Sequence, residues 1–154
     1  MEQPHFKDHF SQQSQDYALF RPHYPDALGK LLAELSPGTK LAVDVGCGSG
    51  QLSEVLANYF DQVIAIDASA EQLAQAKPHP KIQYGQAFAE EVPCADQSID
   101  LISVAQAAHW LDLEKFYAEV RRIAKPKAIL ALISYGVFSV DEPHLNQYFK
   151  HFYE

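Results

Sequence analysis

Clusters of basic residues are missing from this sequence of 154 residues, which has 12 lysines and arginines against 20 aspartates and glutamates. Proteins that bind nucleic acid neutralise its phosphates with clustered lysine and arginine side chains. The formal net charge of −8, together with the lack of such a cluster, therefore argues against a DNA or RNA partner. An acidic total does not identify a small-molecule partner, because a basic pocket can lie inside it.

Long apolar runs are missing as well. The run over 129–133 is far shorter than the ~20 residues with which a helix crosses a bilayer. The first residues, Met1 to His5, have neither the basic nor the apolar segment of a signal peptide. We therefore expect a cytoplasmic protein with no membrane partner.

Cysteine is scarce, since the chain has only Cys47 and Cys94. Their separation matches neither a metal-ligand motif nor a disulfide framework. Cys47 stands between two glycines, where a tight turn needs a small side chain. Both cysteines are interpreted as small packing residues, and the sequence predicts no metal site.

What the sequence does have is an alternation of strand-like apolar runs and helix-like periodicity. The first helix is predicted from the spacing of four leucines, which would form its buried face: Leu28, Leu31, Leu32 and Leu35. Strands are predicted over 41–45, 63–66, 81–84, 99–104 and 128–134. Helices are predicted around 52–59, from Ser69 to Pro78, and over 113–123. This alternation predicts a doubly wound α/β fold of Rossmann-like type, with a mostly parallel sheet.

Three glycines, Gly46, Gly48 and Gly50, directly follow the first predicted strand. Glycine lets the backbone turn sharply and approach a ligand with no side chain in the way. Asp67, seventeen residues after Gly50, ends the second strand, where a carboxylate can accept hydrogen bonds from a ribose diol. The alternative is that Asp67 only caps the following helix.

The spacing of the glycines separates two kinds of cofactor. A dinucleotide loop has the pattern G-x-G-x-x-G, which would need a glycine at position 51. Gln51 stands there, and the pattern is G-x-G-x-G. This spacing argues against a nicotinamide-dependent oxidoreductase, which stays open as an alternative.

Further motifs follow the loop in order. They are Val43-Asp44-Val45-Gly46-Cys47-Gly48-Ser49-Gly50, Ala65-Ile66-Asp67-Ala68-Ser69, Ala89-Glu90-Glu91-Val92-Pro93, Ser98-Ile99-Asp100-Leu101-Ile102, Ala108-His109-Trp110 and 116–122, with 17–25 ahead of them. Together they resemble class I S-adenosylmethionine-dependent methyltransferases of the small-molecule type, and among these the family that contains trans-aconitate methyltransferase. The resemblance covers nearly the whole chain.

The resemblance implies S-adenosylmethionine as cofactor and a small molecule, such as a carboxylic acid, as methyl acceptor. It divides the chain into a helical cap segment over 1–38, a cofactor-binding core over 39–135 and the start of a C-terminal lid helix over 136–154, all in one domain. The residues that it places at the cofactor are Tyr17, Arg21, Asp44, Gly46, Gly48, Gly50, Asp67, Ala68, Ser69, Phe88, Ala89, Glu90 and Gln106.

Some of these roles have alternatives. The family's usual carboxylate contact to the adenine amine is lost here, because the Asp-Ala pair of relatives is replaced by Phe88-Ala89; Phe88 would instead pack on the adenine ring. Tyr17 and Arg21 would close over the active site and the methionine carboxylate. Tyr17 also fits a core position, and Arg21 an ordinary surface position.

His109 is the candidate catalytic residue. It could accept a proton from a hydroxyl, amine or carbon acceptor, or it could form part of the pocket wall. An ionised carboxylate acceptor would need no base. Trp110 is interpreted as packing or as an aromatic wall.

The chain departs from the family at its C-terminal side. Lys127-Ala128 stands where relatives have a Gly-Gly turn, and the two strands that follow the fifth strand in relatives are not recognisable. A fifth strand without its neighbour is an exposed edge, which predicts pairing in a homodimer. A cofactor-binding fragment with no activity of its own is the second hypothesis for function.

Overall fold

The predicted alternation of strands and helices forms one five-stranded sheet in the computed structural model, which describes residues 23–135. In chain order the elements are α1 (Asp26–Leu35), β1 (Leu41–Val45), α2 (Gln51–Ala57), β2 (Gln62–Asp67), α3 (Ala70–Leu73), β3 (Ile82–Gln86), β4 (Ile99–Ala105), α4 (Leu113–Ile123) and β5 (Ala124–Ile133), with a 3-10 turn over Ala108–Trp110. Tyr17, Arg21 and the predicted C-terminal lid helix lie outside the described residues.

The strand order is β3-β2-β1-β4-β5, and every neighbouring pair is parallel. The chain proceeds from β1 outward to β3 and then returns to place β4 on the other side of β1. Val43 of β1 lies opposite Ile64 of β2 and Ile102 of β4. This order confirms the predicted doubly wound Rossmann-like fold. The point where it reverses lies at the carboxyl end of β1, directly before the glycine loop.

Apolar side chains fill both faces of the sheet. Leu32 of α1 and Leu52 and Leu56 of α2 pack on one face, together with Phe60. Phe116 and Ile123 of α4 pack on the other. The central strands β1 and β4 are buried on both sides, which explains why they appear in the sequence as nearly unbroken apolar runs, whereas β3 and β5 at the edges are partly exposed.

The predicted buried face of α1 is only partly correct. Leu32 is buried, but Leu31 and Leu35 are 50% and 57% exposed. The helix approaches α2 through Gly29, where an added Cβ would lie only 2.8 Å from Val55 Cγ1. The close approach at this glycine turns the two outer leucines away from the sheet.

Helix α3 is much shorter than predicted. Ser69 caps it as expected, with its Oγ accepting a hydrogen bond from the Gln72 amide at 3.3 Å. The helix ends at Leu73 rather than near Pro78, and none of its residues is buried. A short helix that buries little surface has little tertiary packing to stabilise further turns.

Strand β5 begins directly after α4 and carries an irregularity. Ala124 pairs with Ile99 and Ile129 with Leu101, so the residues between them bulge out of the ladder. Lys127, in this bulge, has a φ of 67°, the left-handed conformation that glycine adopts at lowest cost. In the described sheet β5 is an edge strand, and pairing of its edge with a second copy stays a prediction.

None of the helices between residues 23 and 135 has the length and apolar character that a bilayer crossing requires.

Candidate functional site

A cavity of about 490 Å³ opens at the carboxyl ends of β1, β2, β3 and β4. This volume lies in the range of roughly 300–1,000 Å³ that is typical of small-molecule sites. Its lining residues are Val45, Gly46, Gly48, Asp67, Ala68, Ser69, Gln72, Ala87, Phe88, Ala89, Glu90, Glu91, Ala105, Gln106, Ala107, Trp110, Leu111, Asp112 and Lys115. Most of the predicted site residues that the structure describes therefore surround one space.

The glycine loop bends through left-handed conformations at all three glycines. The φ angles of Gly46, Gly48 and Gly50 are 66°, 56° and 87°. At Gly46 an added Cβ would lie 2.6 Å from the Cβ of Ala107, so the loops after β1 and β4 touch here. Gly46 and Gly48 line the cavity, whereas Gly50 lies behind them against the ring of Tyr84.

Asp67 joins the second strand to the glycine loop. Its Oδ2 accepts a hydrogen bond from the Gly48 amide and its Oδ1 accepts one from the Ser69 amide, both at 2.8 Å. The N-cap of α3 is Ser69, so Asp67 is not simply the cap of that helix. Each carboxylate oxygen keeps a second lone pair, and the side chain lines the cavity. The geometry leaves Asp67 able to accept hydrogen bonds from a diol.

Asp44 lies behind the loop and does not line the cavity. It is 1% exposed, and its two oxygens accept hydrogen bonds from the hydroxyls of Ser53, at 2.6 Å, and Ser103, at 3.0 Å. Burial raises its pKa to about 6, although the two hydroxyls act in the opposite direction. Asp44 thus joins β1, α2 and β4 beneath the site, and a direct contact with cofactor stays a prediction.

Cys47 is buried beside Asp44, at 7% exposure. Burial, together with the nearby carboxylates of Asp44 and Asp67, raises the pKa of its thiol. Cys47 belongs to the buried apolar cluster that contains Leu52 and Leu56, as expected of a packing residue, and a thiol held neutral is a poor nucleophile.

The loop after β3 forms a second wall. Phe88 lines the cavity with 56% of its surface exposed, and Ala89 beside it is buried. Glu90 Oε1 accepts a hydrogen bond from the Asp112 amide at 3.1 Å, which ties this wall to the residue that caps α4.

The loop after β4 forms the third wall. Gln106 lines it with a φ of 55°, unusual for a residue with a side chain, and its Nε2 donates a hydrogen bond to the Tyr135 carbonyl at 2.8 Å. Backbone strain of this kind is often found at functional sites. His109 and Trp110 follow, with ring centroids 4.8 Å apart. Trp110 lines the cavity; His109 is exposed and is not among the lining residues.

Sequence reasoning missed the charged side chains at the mouth of the cavity. Glu91, Asp112 and Lys115 line it, and Lys115 Nζ lies 3.0 Å from Asp112 Oδ2. Asp112 and Lys115 reach the cavity because α4 begins beside it, a packing arrangement that no motif in the sequence marks, and Glu91 ends the wall after β3. With Asp67 and Glu90, the described walls carry four carboxylates against one ammonium group. This charge favours a ligand with positive charge.

A family model described as a methyltransferase domain matches residues 43–132. A protein from Dictyostelium discoideum assigned as a methyltransferase is 37% identical in an alignment of 152 positions that covers 97% of this chain. This chain belongs to the methyltransferase domain family. The class I methyltransferase resemblance is confirmed, while the trans-aconitate subfamily stays a prediction.

Two further comparisons agree with this membership of the methyltransferase domain family. A protein from Saccharomyces cerevisiae described as a probable S-adenosylmethionine-dependent methyltransferase is 33% identical over 150 residues. A solved structure from Anaeromyxobacter dehalogenans, assigned as a type II methyltransferase, is 46% identical with a TM-score of 0.74, over 80% of this chain and 52% of that one. The chain spans about half the length of the curated relatives it matches, 58% and 52% for the two named here.

Proposed function

We propose that this chain binds S-adenosylmethionine in the cavity at the strand ends and takes part in transferring its methyl group to a small molecule. One observation carries the proposal: the left-handed glycine loop and the carboxylate of Asp67 meet at the edge of one cavity, joined by the hydrogen bond from the Gly48 amide. Family membership supports the same chemistry.

The cavity walls fit the parts of this cofactor. Gly46 and Gly48 leave the backbone bare, so a ligand can approach it closely. Asp67 offers acceptors to the ribose hydroxyls. Phe88 and Trp110 present exposed aromatic surface that suits the adenine ring or an apolar acceptor.

The charge of the walls supports the proposal independently. S-adenosylmethionine carries a sulfonium, and the excess of carboxylates at the described walls attracts a cation. A dinucleotide brings a pyrophosphate, which the same carboxylates repel. The charge therefore favours the methyl donor over the oxidoreductase alternative.

When bound, S-adenosylmethionine supplies an activated methyl group. The contribution of the protein is to hold the reacting groups in line, and positioning alone can remove much of the barrier. In the cavity this falls to the backbone of the glycine loop and to the loop at Gln106 and Ala107, which touches it at Gly46. Asp44 supports the glycine loop from behind through its hydrogen bonds with Ser53 and Ser103.

The acceptor stays at the level of a small molecule. The carboxylic acid implied by the resemblance must enter a cavity whose described walls are acidic, where Lys115 is already paired with Asp112. An amine or a hydroxyl meets no such repulsion, so a screen has to include all three classes. Since His109 is not among the lining residues, we expect no essential base at this position. A cytoplasmic location also stays a prediction.

The experiment is a methyl-transfer screen with labelled S-adenosylmethionine over small acids, amines and alcohols, combined with cofactor binding. The single tryptophan of the chain, Trp110, lies in the cavity wall and reports on binding through its fluorescence. Asp67→Asn should weaken binding of S-adenosylhomocysteine by roughly 10- to 100-fold, since hydrogen bonds to a charged group contribute about 1.5–3 kcal/mol.

Asp61→Asn is the matched control, because Asp61 precedes the same strand but is exposed and does not line the cavity. It should bind within twofold of the wild type. Equal binding by the two variants would contradict the placement of the ribose at Asp67. Binding without transfer to any acceptor would favour the hypothesis of a cofactor-binding domain that is inactive on its own.

A further inference from the structure

The wall after β3 belongs to a loop without regular structure. Residues 87–98 connect β3 to β4, and the first five of them line the cavity. At its start the Ala87 amide donates a hydrogen bond to the Asp67 carbonyl at 3.2 Å. A loop of this kind has no ladder of backbone hydrogen bonds, so its shape depends on the contacts that anchor it.

Arg122, near the end of α4, anchors the middle of this loop. Its guanidinium donates hydrogen bonds to the carbonyls of Val92 and Cys94, both at 2.9 Å, and to the Asp96 carboxylate at 2.7 Å. The guanidinium is suited to several acceptors at once, because its N–H donors are fixed in one plane.

Glu119, one turn earlier in α4, completes the anchor. Its Oε1 accepts a hydrogen bond from the Val92 amide at 2.7 Å, and both its oxygens accept from Arg122, at 2.6 Å and 2.9 Å. The Glu119 side chain is 10% exposed. The hydrogen bonds from Arg122 keep its pKa below the usual value, against the opposing effect of burial. Val92 is thus held through both its N–H and its carbonyl.

This anchor sits immediately behind the cavity wall. Val92 follows Glu91, the last wall residue of the loop, and neither Glu119 nor Arg122 lines the cavity. The same helix also holds the front of the wall, since the amide of its cap Asp112 donates to Glu90. Phe88 lies between the Ala87 amide, bonded to the Asp67 carbonyl, and Glu90, and its own carbonyl accepts a hydrogen bond from the Glu91 amide at 3.1 Å.

We infer that Arg122 and Glu119 are positioning residues for the cofactor: through Val92 and Cys94 they hold the wall that carries Phe88 in its binding shape. The inference rests on the proposed function, because it assumes that S-adenosylmethionine occupies the cavity. The C-terminal part of α4 thereby influences cofactor affinity, although neither Glu119 nor Arg122 lines the cavity.

The test compares Arg122→Lys with Arg121→Lys. Lysine keeps the charge beside Glu119 but not the planar set of donors to the Val92 and Cys94 carbonyls. Arg121 is the neighbouring exposed arginine, and its side chain makes no hydrogen bond or ion pair within the described part of the chain. Binding of S-adenosylhomocysteine is measured by Trp110 fluorescence, and the folded fraction by circular dichroism.

Arg122→Lys should weaken S-adenosylhomocysteine binding by about tenfold, as expected for the loss of one to two hydrogen bonds that shape the wall. Hydrogen exchange over 88–94 should become faster, while exchange over 41–45 stays unchanged. Arg121→Lys should match the wild type in all three measurements. If Arg122→Lys lowers only the unfolding midpoint and the folded protein binds within twofold of the wild type, the residue is merely structural and the inference fails.

A second variant covers the case in which Arg122→Lys does not fold. Glu119→Gln keeps an acceptor for the Val92 amide and removes the charge that holds Arg122, so it should weaken binding by a smaller factor, about threefold. Unchanged affinity and exchange in this variant would also overturn the inference. If the wild type itself does not bind S-adenosylhomocysteine, it is the proposed function that fails.

Discussion

Asp44→Asn should remove a pH-dependent cost from folding. Asp44 is 1% exposed, and burial raises its pKa from 3.8 to about 6. A carboxyl group whose pKa is raised by folding binds its proton more tightly in the folded chain than in the unfolded one. Its contribution to stability is therefore fully present below the unfolded pKa and is lost as the pH rises through the folded pKa.

The size of the effect follows from that shift. A rise from 3.8 to about 6 corresponds to roughly 3 kcal/mol in the free energy of unfolding at neutral pH, since one pKa unit is about 1.4 kcal/mol. Linkage places about 2 kcal/mol of this between pH ~4.5 and ~7.5. The amide of Asp44→Asn does not titrate, and it keeps one acceptor for a serine hydroxyl.

The assay is urea unfolding of wild type and Asp44→Asn at both pH values, followed by circular dichroism. Between the lower and the higher pH, the free energy of unfolding of the variant relative to wild type should shift by about 2 kcal/mol in favour of the variant, whatever its offset. Asp61→Asn, at an exposed aspartate, should show no such shift. A difference between Asp44→Asn and wild type that stays constant with pH would refute the reasoning that the buried carboxyl group is costly when charged.

Three further substitutions test other parts of the account. Lys127→Gly should raise the free energy of unfolding by up to about 1 kcal/mol, because the φ of 67° suits glycine, whereas Lys127→Ala should give no gain. Gly46→Ala should destabilise the fold by about 1–3 kcal/mol and weaken cofactor binding, because its Cβ would meet that of Ala107 at 2.6 Å; Gly85→Ala, with nothing within 4 Å, should cost much less. His109→Ala should leave methylation of a carboxylate nearly intact in a steady-state assay, because an ionised carboxylate needs no base and His109 does not line the cavity; a loss of about a thousand-fold would contradict this.

Much of the fold follows from local patterns in the sequence. Buried parallel strands are short unbroken apolar runs, and the glycines after Val45 mark where the first one ends. The sequence predicts Asp67 at the ligand edge of the sheet because it ends the second strand, and Asp67 does line the cavity. The place of a residue at the end of a strand is set mostly by the strand itself. Residues at the ends of β1, β2 and β4 therefore meet around the cavity, as expected for a parallel sheet.

What could not be predicted depends on packing between distant segments. Asp44 precedes the glycines as a site residue would, but the serines that enclose it come from α2 and β4. The exposure of Leu31 follows from the approach of α1 to α2 at Gly29, which no helical periodicity reveals. Arg122 contacts a loop about thirty residues earlier in the chain, and its spacing carries no signal of that pairing.

The central claim is that the cavity at the strand ends is a site for S-adenosylmethionine. Calorimetric titration of the wild-type chain with S-adenosylmethionine, S-adenosylhomocysteine and NADH tests it most directly. We expect saturable one-to-one binding of the first two, accompanied by a change in Trp110 fluorescence, and no binding of NADH. Binding of NADH alone, or of none of the three, would contradict it.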